Sequence, residues 1–159
     1  MTAEVSRARA EDWAAVRAVR LRALGTDPEA FGSTVERERA YDDDLWRTRV
    51  AAGRTFVARV DGDVVGIVAY HEAGEPDERR LVGLWVAPGA RGRGIADLLV
   101  RAVAVAAAAE GARVMTLCVM DGNDRARRLY ERAGFHPTGG GPPPGESDDG
   151  RRWYAAPLG

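Results

Sequence analysis

The chain lacks lysine, contains a single cysteine and has no long apolar run. Without lysine it cannot form a P-loop, because that motif places a lysine on the nucleotide phosphates. With Cys118 alone it forms neither an internal disulfide nor a cysteine zinc site, and we expect a reducing compartment and no bound metal. Its apolar runs are too short to cross a bilayer and its N-terminus lacks a signal-peptide pattern, so we expect a cytoplasmic protein with no membrane partner.

Charges nearly balance along the chain: 23 basic residues, all of them arginine, stand against 24 acidic ones, for a net charge of −1 at pH 7. This balance gives no reason to expect a nucleic-acid partner. A length of 159 residues, with 45% hydrophobic and 30% charged residues, is typical of one globular domain, and we predict a single domain over residues 1–159. We attribute the abundance of arginine, alanine and glycine to coding bias in a GC-rich bacterial genome.

Hydrophobic periodicity predicts an alternation of strands and helices along the chain. Asp61 and Gly62 lie between two β-rich runs and predict a hairpin, while Gly111 and Gly134 are placed to end the two later helices. The helix before Gly111 is apolar nearly all round, so we expect it to be largely buried. Residues 139–150 are rich in glycine, proline and acids, and we predict a mobile loop there. The expected strands are 5–8, 55–60, 64–70, 80–86, 114–119, 135–138 and 153–156, and the expected helices are 11–24, 34–52 (broken near 41–44), 94–110 and 123–133.

A glycine-rich segment lies between the strand pattern at 80–86 and the long helix pattern that follows. Its position at a helix N-terminus offers free backbone N–H groups and the positive end of the helix dipole to a pyrophosphate. Gly92 and Gly94 let the backbone approach phosphates closely, and Arg91 and Arg93 add guanidinium groups suited to phosphate oxygens. The segment reads Arg91, Gly92, Arg93, Gly94, Ile95, Ala96.

A nucleotide-binding α/β domain is an alternative reading of the same segment. A dinucleotide fingerprint needs a third glycine three residues after the second, and Asp97 stands at that position. The N-terminal third is also helical, and only one strand–helix–strand unit surrounds the loop. These features argue against a nucleotide domain.

A second motif lies on the later amphipathic helix. Asn123 and Tyr130 are two turns apart on one face, about 10 Å along the axis. Asn123 is well placed to cap the helix. Taken alone, Tyr130 reads as a core residue with its hydroxyl turned to water. The motif consists of Asn123, Ala126, Leu129, Tyr130, Gly134 and Phe135.

Both motifs and the order of the elements resemble the GNAT N-acetyltransferases. In that family the coenzyme loop reads Gln or Arg, two residues, Gly, one residue, then Gly or Ala, and the later helix carries Asn-x-x-Ala-x-x-Leu-Tyr before Gly-Phe. The resemblance covers the chain from Val5 to the last strand. It implies an α/β (α+β) fold, with a mixed, mostly antiparallel sheet of six to seven strands, helices on both faces, and strands splayed at the coenzyme site.

That resemblance also implies a reaction and its participants. The expected cosubstrate is acetyl-CoA, the expected acceptor is a primary amine of a small molecule or peptide, and homodimers are common in the family. Tyr130 would protonate the leaving thiolate, and Asn123 would cap the helix, donate to the pantetheine arm, or do both. The other expected coenzyme contacts are backbone groups of Trp85, Val86 and Ala87 and the loop residues Arg91, Gly92, Arg93, Gly94, Ile95 and Ala96.

One family feature is missing, because residues 81–85 lack the glutamate that many members use as general base. His71 and Glu72, at the end of the preceding strand, are our candidates for the base, directly or through water. The alternative for both is a solvated strand end.

The acceptor site is expected against the region that begins at Phe31. Glu36 and Glu38 would bind a cationic substrate there, and the alternative for each is a solvated helix face. An acyl-enzyme on Cys118 is conceivable, but no adjacent histidine is visible and single strand cysteines are usually core residues. A non-catalytic acyl-CoA-binding domain is the alternative function, and Tyr130 separates the two, because a pure binder needs no acid beside the sulfur.

Overall fold

The computed structural model describes residues 2–139 and 150–159, so most of the predicted mobile loop lies outside the described residues. The elements follow one another in the order that the sequence predicts. They are β1 (Ala3–Arg7), α1 (Trp13–Thr26), α2 (Val35–Arg39), α3 (Asp43–Ala51), β2 (Thr55–Val60), β3 (Asp63–Glu72), β4 (Glu78–Val86), α4 (Ile95–Ala109), β5 (Val114–Met120), α5 (Asp124–Arg132), β6 (His136–Pro137) and β7 (Arg151–Pro157).

These strands form one sheet of seven, in the order β1-β2-β3-β4-β5-β7-β6. Every neighbouring pair is antiparallel except β4 and β5, which run parallel. The predicted β2–β3 hairpin is present, and its turn residues Asp61 and Gly62 both have positive φ, 52° and 86°. A two-residue turn of that handedness matches the twist of the flanking strands. The predicted fold class, a mixed and mostly antiparallel sheet, is confirmed.

Splaying of β4 from β5 is the feature that positions the site. The two strands pair only where Glu78, Arg79 and Arg80 lie opposite residues 114–116. Beyond that point β5 stays paired with β7 through Met120, whereas β4 continues to Val86 with β3 as its partner. The carboxyl-terminal half of β4 therefore faces a gap in the sheet.

Helices cover both faces of the sheet, because alternate strand residues point to opposite sides. Phe56 and Ala58 of β2 belong to the core beneath α4 and its Leu99. Val57, which lies between them, packs in a second core with Val16 of α1. The two apolar layers hold α4 on one face and α1 on the other.

Only one face of α4 is buried, which corrects the expectation that a helix apolar nearly all round would be largely buried. Leu99 is fully buried, but Leu98 and Val105 are 44% and 65% exposed. A helix lying on a sheet buries only the stripe it turns to that sheet. The glycine cap is present as predicted, with Gly111 at a φ of 90° just beyond the helix. In the described part of the chain, no helix combines the length and apolar character needed to cross a membrane.

Candidate active site

Two cavities meet at the gap between β4 and β5. The loop-side cavity, of about 560 Å³, is lined by the glycine-rich loop, the start of α4 and one face of α5. The helix-side cavity, of about 650 Å³, is lined by α1, α3 and the facing parts of β3 and β4. Leu84, Met120 and Tyr130 line both. A molecule bound in one cavity can therefore contact a molecule bound in the other.

The glycine-rich loop opens α4 with free amide groups. Gly92 and Gly94 have φ values of 81° and 78°, a left-handed backbone that glycine adopts without strain. The first helical hydrogen bond runs from the N–H of Leu98 to the carbonyl of Gly94, at 3.2 Å. The N–H groups of Ile95 and Ala96 therefore precede the first intrahelical bond, and both residues line the loop-side cavity. This end of the cavity suits an anion.

Arg91 is held by the protein on two sides. Its Nε donates to the carbonyl of Val86 at 2.9 Å, and NH2 donates to Oδ2 of Asp27 at 2.7 Å. The indole N–H of Trp85 donates to the same Asp27 oxygen, at 2.7 Å. Partial burial would raise the pKa of Asp27, but the hydrogen bonds from Trp85 and Arg91 outweigh it and hold that pKa below its ordinary value. Arg93 is exposed and lies outside the cavity lining.

The backbone at the end of β4 is already partly bonded. The N–H of Ala87 donates to Val65 on β3 and its carbonyl accepts from Ala90, both at 2.8 Å. Because backbone groups alternate sides along a strand, the N–H of Val86 points away from β3. That amide is the one among Trp85, Val86 and Ala87 that faces the gap.

Asn123 and Tyr130 lie on the face of α5 that borders both cavities. The side-chain oxygen of Asn123 accepts from the N–H of Ala126 at 3.3 Å, so this residue caps the helix. Tyr130 is 6% exposed and packs edge-to-face on Phe135, with ring centroids 5.8 Å apart. Burial raises the pKa of Tyr130 above its ordinary value, and Cys118 nearby raises it further. The phenol therefore stays protonated at neutral pH.

His71 lines the helix-side cavity at the end of β3, whereas Glu72 does not. Nδ1 of His71 lies 2.7 Å from the carbonyl oxygen of Glu72. A carbonyl oxygen only accepts, so Nδ1 is the donor in this contact, and the tautomer that makes it has its lone pair on Nε2. The Glu72 carboxylate is exposed and lies 3.4 Å from NH2 of Arg54.

The structure separates the two glutamates expected at the acceptor site. Glu36 is exposed and lies outside the cavity lining. Glu38 lines the cavity with Phe31, is 2% exposed, and accepts from Nε and NH2 of Arg20, both at 2.9 Å. Burial would raise the pKa of Glu38, but the bonds from Arg20 outweigh it and keep that pKa below its ordinary value. The Glu38 carboxylate is thus charged and already paired.

Among the cavity residues that sequence reasoning missed, three matter for the site: Asp27, Arg20 and Arg49. Asp27 precedes a proline and reads as an ordinary turn residue. Arg20 and Arg49 read as polar positions on amphipathic helices, because only the packing of α1 against α2 and α3 brings them to Glu38. No signal within the sequence would have identified them.

Comparisons with known proteins agree with this architecture. The chain matches the model of the Acetyltransferase (GNAT) family over residues 13–135, and it belongs to that family of acyltransferases. Streptothricin acetyltransferase of Streptomyces lavendulae is 38% identical over 86 residues, which is 54% of this chain and 46% of that protein. The match thus spans about half of each protein.

Solved structures share the fold at low sequence identity. A GNAT-family acetyltransferase from Streptococcus pneumoniae superposes with a TM-score of 0.82 and 18% identity, covering 99% of this chain and all of that one (100%). YncA from Salmonella typhimurium, solved with its cofactor acetyl-CoA, superposes with a TM-score of 0.78 and 20% identity, covering 100% of this chain and 95% of that one.

Proposed function

We propose that the protein is an N-acetyltransferase that moves an acetyl group from acetyl-CoA to a primary amine of a small molecule or peptide by direct attack. Its membership of the acetyltransferase family gives the reaction class. The observation that carries the proposal is the meeting of two cavities at Tyr130, one of which ends at the free N–H groups of α4. Two reactants held in contact through one gap gain much of their rate from proximity.

The loop-side cavity fits the coenzyme. The N–H groups at the start of α4 would hold the pyrophosphate, and Gly92 and Gly94 leave no Cβ between backbone and phosphate. The N–H of Val86 would bond the pantetheine arm in the gap, where β4 lacks a strand partner. Arg91 would act mainly by fixing the loop to Asp27, since two of its nitrogens already donate within the protein. Acetyl-CoA, when bound, supplies an activated thioester carbonyl.

Two side chains would move the protons of the reaction. We assign the base to His71, because the tautomer that donates from Nδ1 has its lone pair on Nε2 and the residue lines the helix-side cavity. The lone pair would take the amine's proton, directly or through a water molecule. Tyr130 is the proposed acid: its phenol is held protonated by burial, and it would donate to the departing thiolate.

A non-catalytic acyl-CoA-binding domain is the alternative. Such a protein would need the loop-side cavity only, whereas this chain has a second cavity of comparable volume beyond Tyr130. That second cavity favours an enzyme with two substrates.

A panel of primary amines with acetyl-CoA, followed by release of the free thiol, tests the proposal. The panel should include amino acids, peptides, polyamines and streptothricin, the compound that gives the Streptomyces lavendulae relative its name. Amine-dependent thiol release, together with a product heavier by one acetyl group, supports the enzyme. Tight acetyl-CoA binding with no turnover across the panel, at several pH values, would favour the binding domain.

A further inference from the structure

An ion pair fixes the floor of the helix-side cavity. Arg20 of α1 donates through Nε and NH2 to both oxygens of Glu38, each at 2.9 Å. The carboxylate is 2% exposed, while the Arg20 side chain keeps 20% of its surface exposed and lines the cavity. A fork-to-fork pair of this kind holds a guanidinium in one orientation. Glu38 thus acts as an anchor, with Arg20 presented to the cavity.

The third nitrogen of Arg20 remains available to a ligand. NH1 lies 3.1 Å from the point that a Cβ on Gly83 would occupy, beside the irregularity in β4 pairing. The guanidinium also stacks on Phe31, 4.9 Å from the ring centroid. NH1 makes no hydrogen bond to any residue in the described ranges, 2–139 and 150–159. A positioned, charged donor of this kind suits an anionic acceptor group.

Arg49 adds a second positive charge at the same place. Its NH1 lies 3.9 Å from Glu38, beyond hydrogen-bond distance, and its guanidinium stacks on Tyr41 and Trp46. Arg20, Arg49 and Glu38 together carry a net charge of +1. Among the described residues, the one carboxylate in the cavity lining is that of Glu38, and Arg20 already pairs with it. The pair of arginines at this place therefore suits an anionic acceptor group better than a cationic one.

We propose that the acceptor is a primary amine that also carries a carboxylate, as amino acids do. NH1 of Arg20 and the guanidinium of Arg49 would bind the carboxylate, and Glu38 would hold Arg20 in place. This assignment rests on the proposed acetyltransferase function and narrows its substrate class. It also replaces the cation-binding role expected for Glu38, whose carboxylate is already paired and buried.

The test compares each amino acid with its own amide and with the amine left after removal of the carboxyl group. Each kcat/KM value, measured with saturating acetyl-CoA, is calculated from the concentration of neutral amine, because the three amines differ in pKa. We expect the preferred amino acid to exceed its amide by about 10- to 100-fold, the range for a lost charged hydrogen bond. Amides or decarboxylated amines that react as well as the acids would overturn the proposal.

Variants locate the effect. Arg20→Gln should lower kcat/KM for the acid by about tenfold more than for the amide, so that the acid-to-amide ratio falls. Arg47→Gln is the matched control, since Arg47 is on the same helix as Arg49 but faces Trp13 outside the cavity. Because Arg20→Gln removes the hydrogen-bond donors of a buried carboxylate, the double variant with Glu38→Gln gives a second measurement in which no carboxylate is left without a donor. Equal losses for acid and amide, with normal acetyl-CoA binding, would contradict recognition by Arg20.

Glu38 is proposed as a positioning residue that holds Arg20 in place, and this role is tested separately. Glu38→Gln should raise KM for the acid more than KM for the amide, whereas a merely structural defect would impair both substrates to the same extent.

Calorimetry on the CoA-loaded protein separates this proposal from the proposed function. If no amine is acetylated but amino acids bind more tightly than their amides in an Arg20-dependent way, the enzyme assignment fails and the carboxylate site stands. If acids and amides are acetylated equally, the enzyme assignment stands and the carboxylate site fails. If no amine is acetylated and no acid binds, both fail.

Discussion

Asp27 accepts a hydrogen bond from Arg91 at 2.7 Å, and this contact ties the glycine-rich loop to the connector that follows α1. The same carboxylate oxygen accepts from Trp85 at the end of β4. One acidic side chain therefore holds together the strand end and the loop that we assign to the coenzyme. The charge of Arg91 is compensated within the protein, so phosphate binding falls mainly to backbone amides.

Removing that carboxylate should weaken coenzyme binding. In Asp27→Ala, Trp85 and Arg91 both lose their acceptor, and the loop loses its fixed position. We expect acetyl-CoA affinity to fall about 3- to 10-fold, which calorimetry measures directly. If the affinity rose instead, the released charge of Arg91 would matter more than the position of the loop, and our account of Arg91 would be wrong.

Replacing Gly94 should separate coenzyme binding from backbone strain. Gly94 and Gly111 flank α4 with φ values of 78° and 90°, and nothing lies within 4 Å of a Cβ added at either. A valine at each position costs the strain of a left-handed residue, about 1–2 kcal/mol of the free energy of unfolding. Only Gly94→Val places a branched side chain at the proposed phosphate site.

We therefore expect acetyl-CoA affinity to drop at least about tenfold in Gly94→Val and to stay the same in the control Gly111→Val. Both variants should melt earlier than the parent by similar amounts. A folded Gly94→Val variant with unchanged coenzyme affinity would contradict our assignment of the glycine-rich loop to the coenzyme phosphates.

Acid should unfold the protein partly by protonating Glu110. This carboxylate, just after α4, accepts from Arg54 at 2.8 Å, from Arg79 at 2.9 Å, and from the hydroxyl of Tyr70. Burial would raise the pKa of Glu110, but the hydrogen bonds from Arg54, Tyr70 and Arg79 outweigh it and lower that pKa from 4.5 to about 2. A lowered pKa contributes stability above pH 4.5 that is lost as pH falls toward 2.

The shift corresponds to at most about 3 kcal/mol of the free energy of unfolding at neutral pH. Urea unfolding at pH 7 and pH 3 should show Glu110→Gln strongly destabilised at pH 7 and less so at pH 3. Glu72→Gln, at an exposed carboxylate beside the same Arg54, is the control and should change little. A Glu110→Gln penalty that does not vary with pH would rule out this linkage.

Helices and strands were predictable because each keeps the apolar period of its own type, and because Asp61-Gly62 and Gly111 mark turns with specific backbone needs. The exposure of Val105 was not predictable, since an alanine-rich apolar helix does not reveal which face lacks a cover. The pairing of Arg20 with Glu38 was equally hidden. Two charged residues on helix surfaces carry no signal of the packing that joins them.

Cys118 should be dispensable for direct transfer. It lines the helix-side cavity as a half-buried residue of β5, and a direct attack by the amine requires no thiol nucleophile. Cys118→Ala should keep kcat within about threefold of the parent and lose roughly 1 kcal/mol of stability from imperfect packing. Mass spectrometry after mixing with acetyl-CoA alone adds a second measurement. An acetyl group trapped on Cys118, together with an inactive but folded alanine variant, would establish a two-step mechanism instead.

Tyr130 should act as the general acid. Its hydroxyl is the one group on α5 that is buried, protonated at neutral pH and placed where the two cavities meet. Tyr130→Phe keeps the ring that packs on Phe135 and removes only the proton donor. We expect kcat to fall by roughly one to three orders of magnitude, with acetyl-CoA affinity and melting temperature almost unchanged.

Tyr154→Phe is the matched control for Tyr130→Phe, because Tyr154 is 2% exposed but lines neither of the two cavities. Steady-state kinetics and melting curves on both variants, with the best amine of the panel, give the comparison. Thioesters whose thiols differ in pKa add a test. Loss of the general acid should lower kcat least for the thioester with the most acidic thiol. If Tyr130→Phe lowered stability and left kcat intact, the hydroxyl would be a core group, and another residue or water would protonate the thiolate.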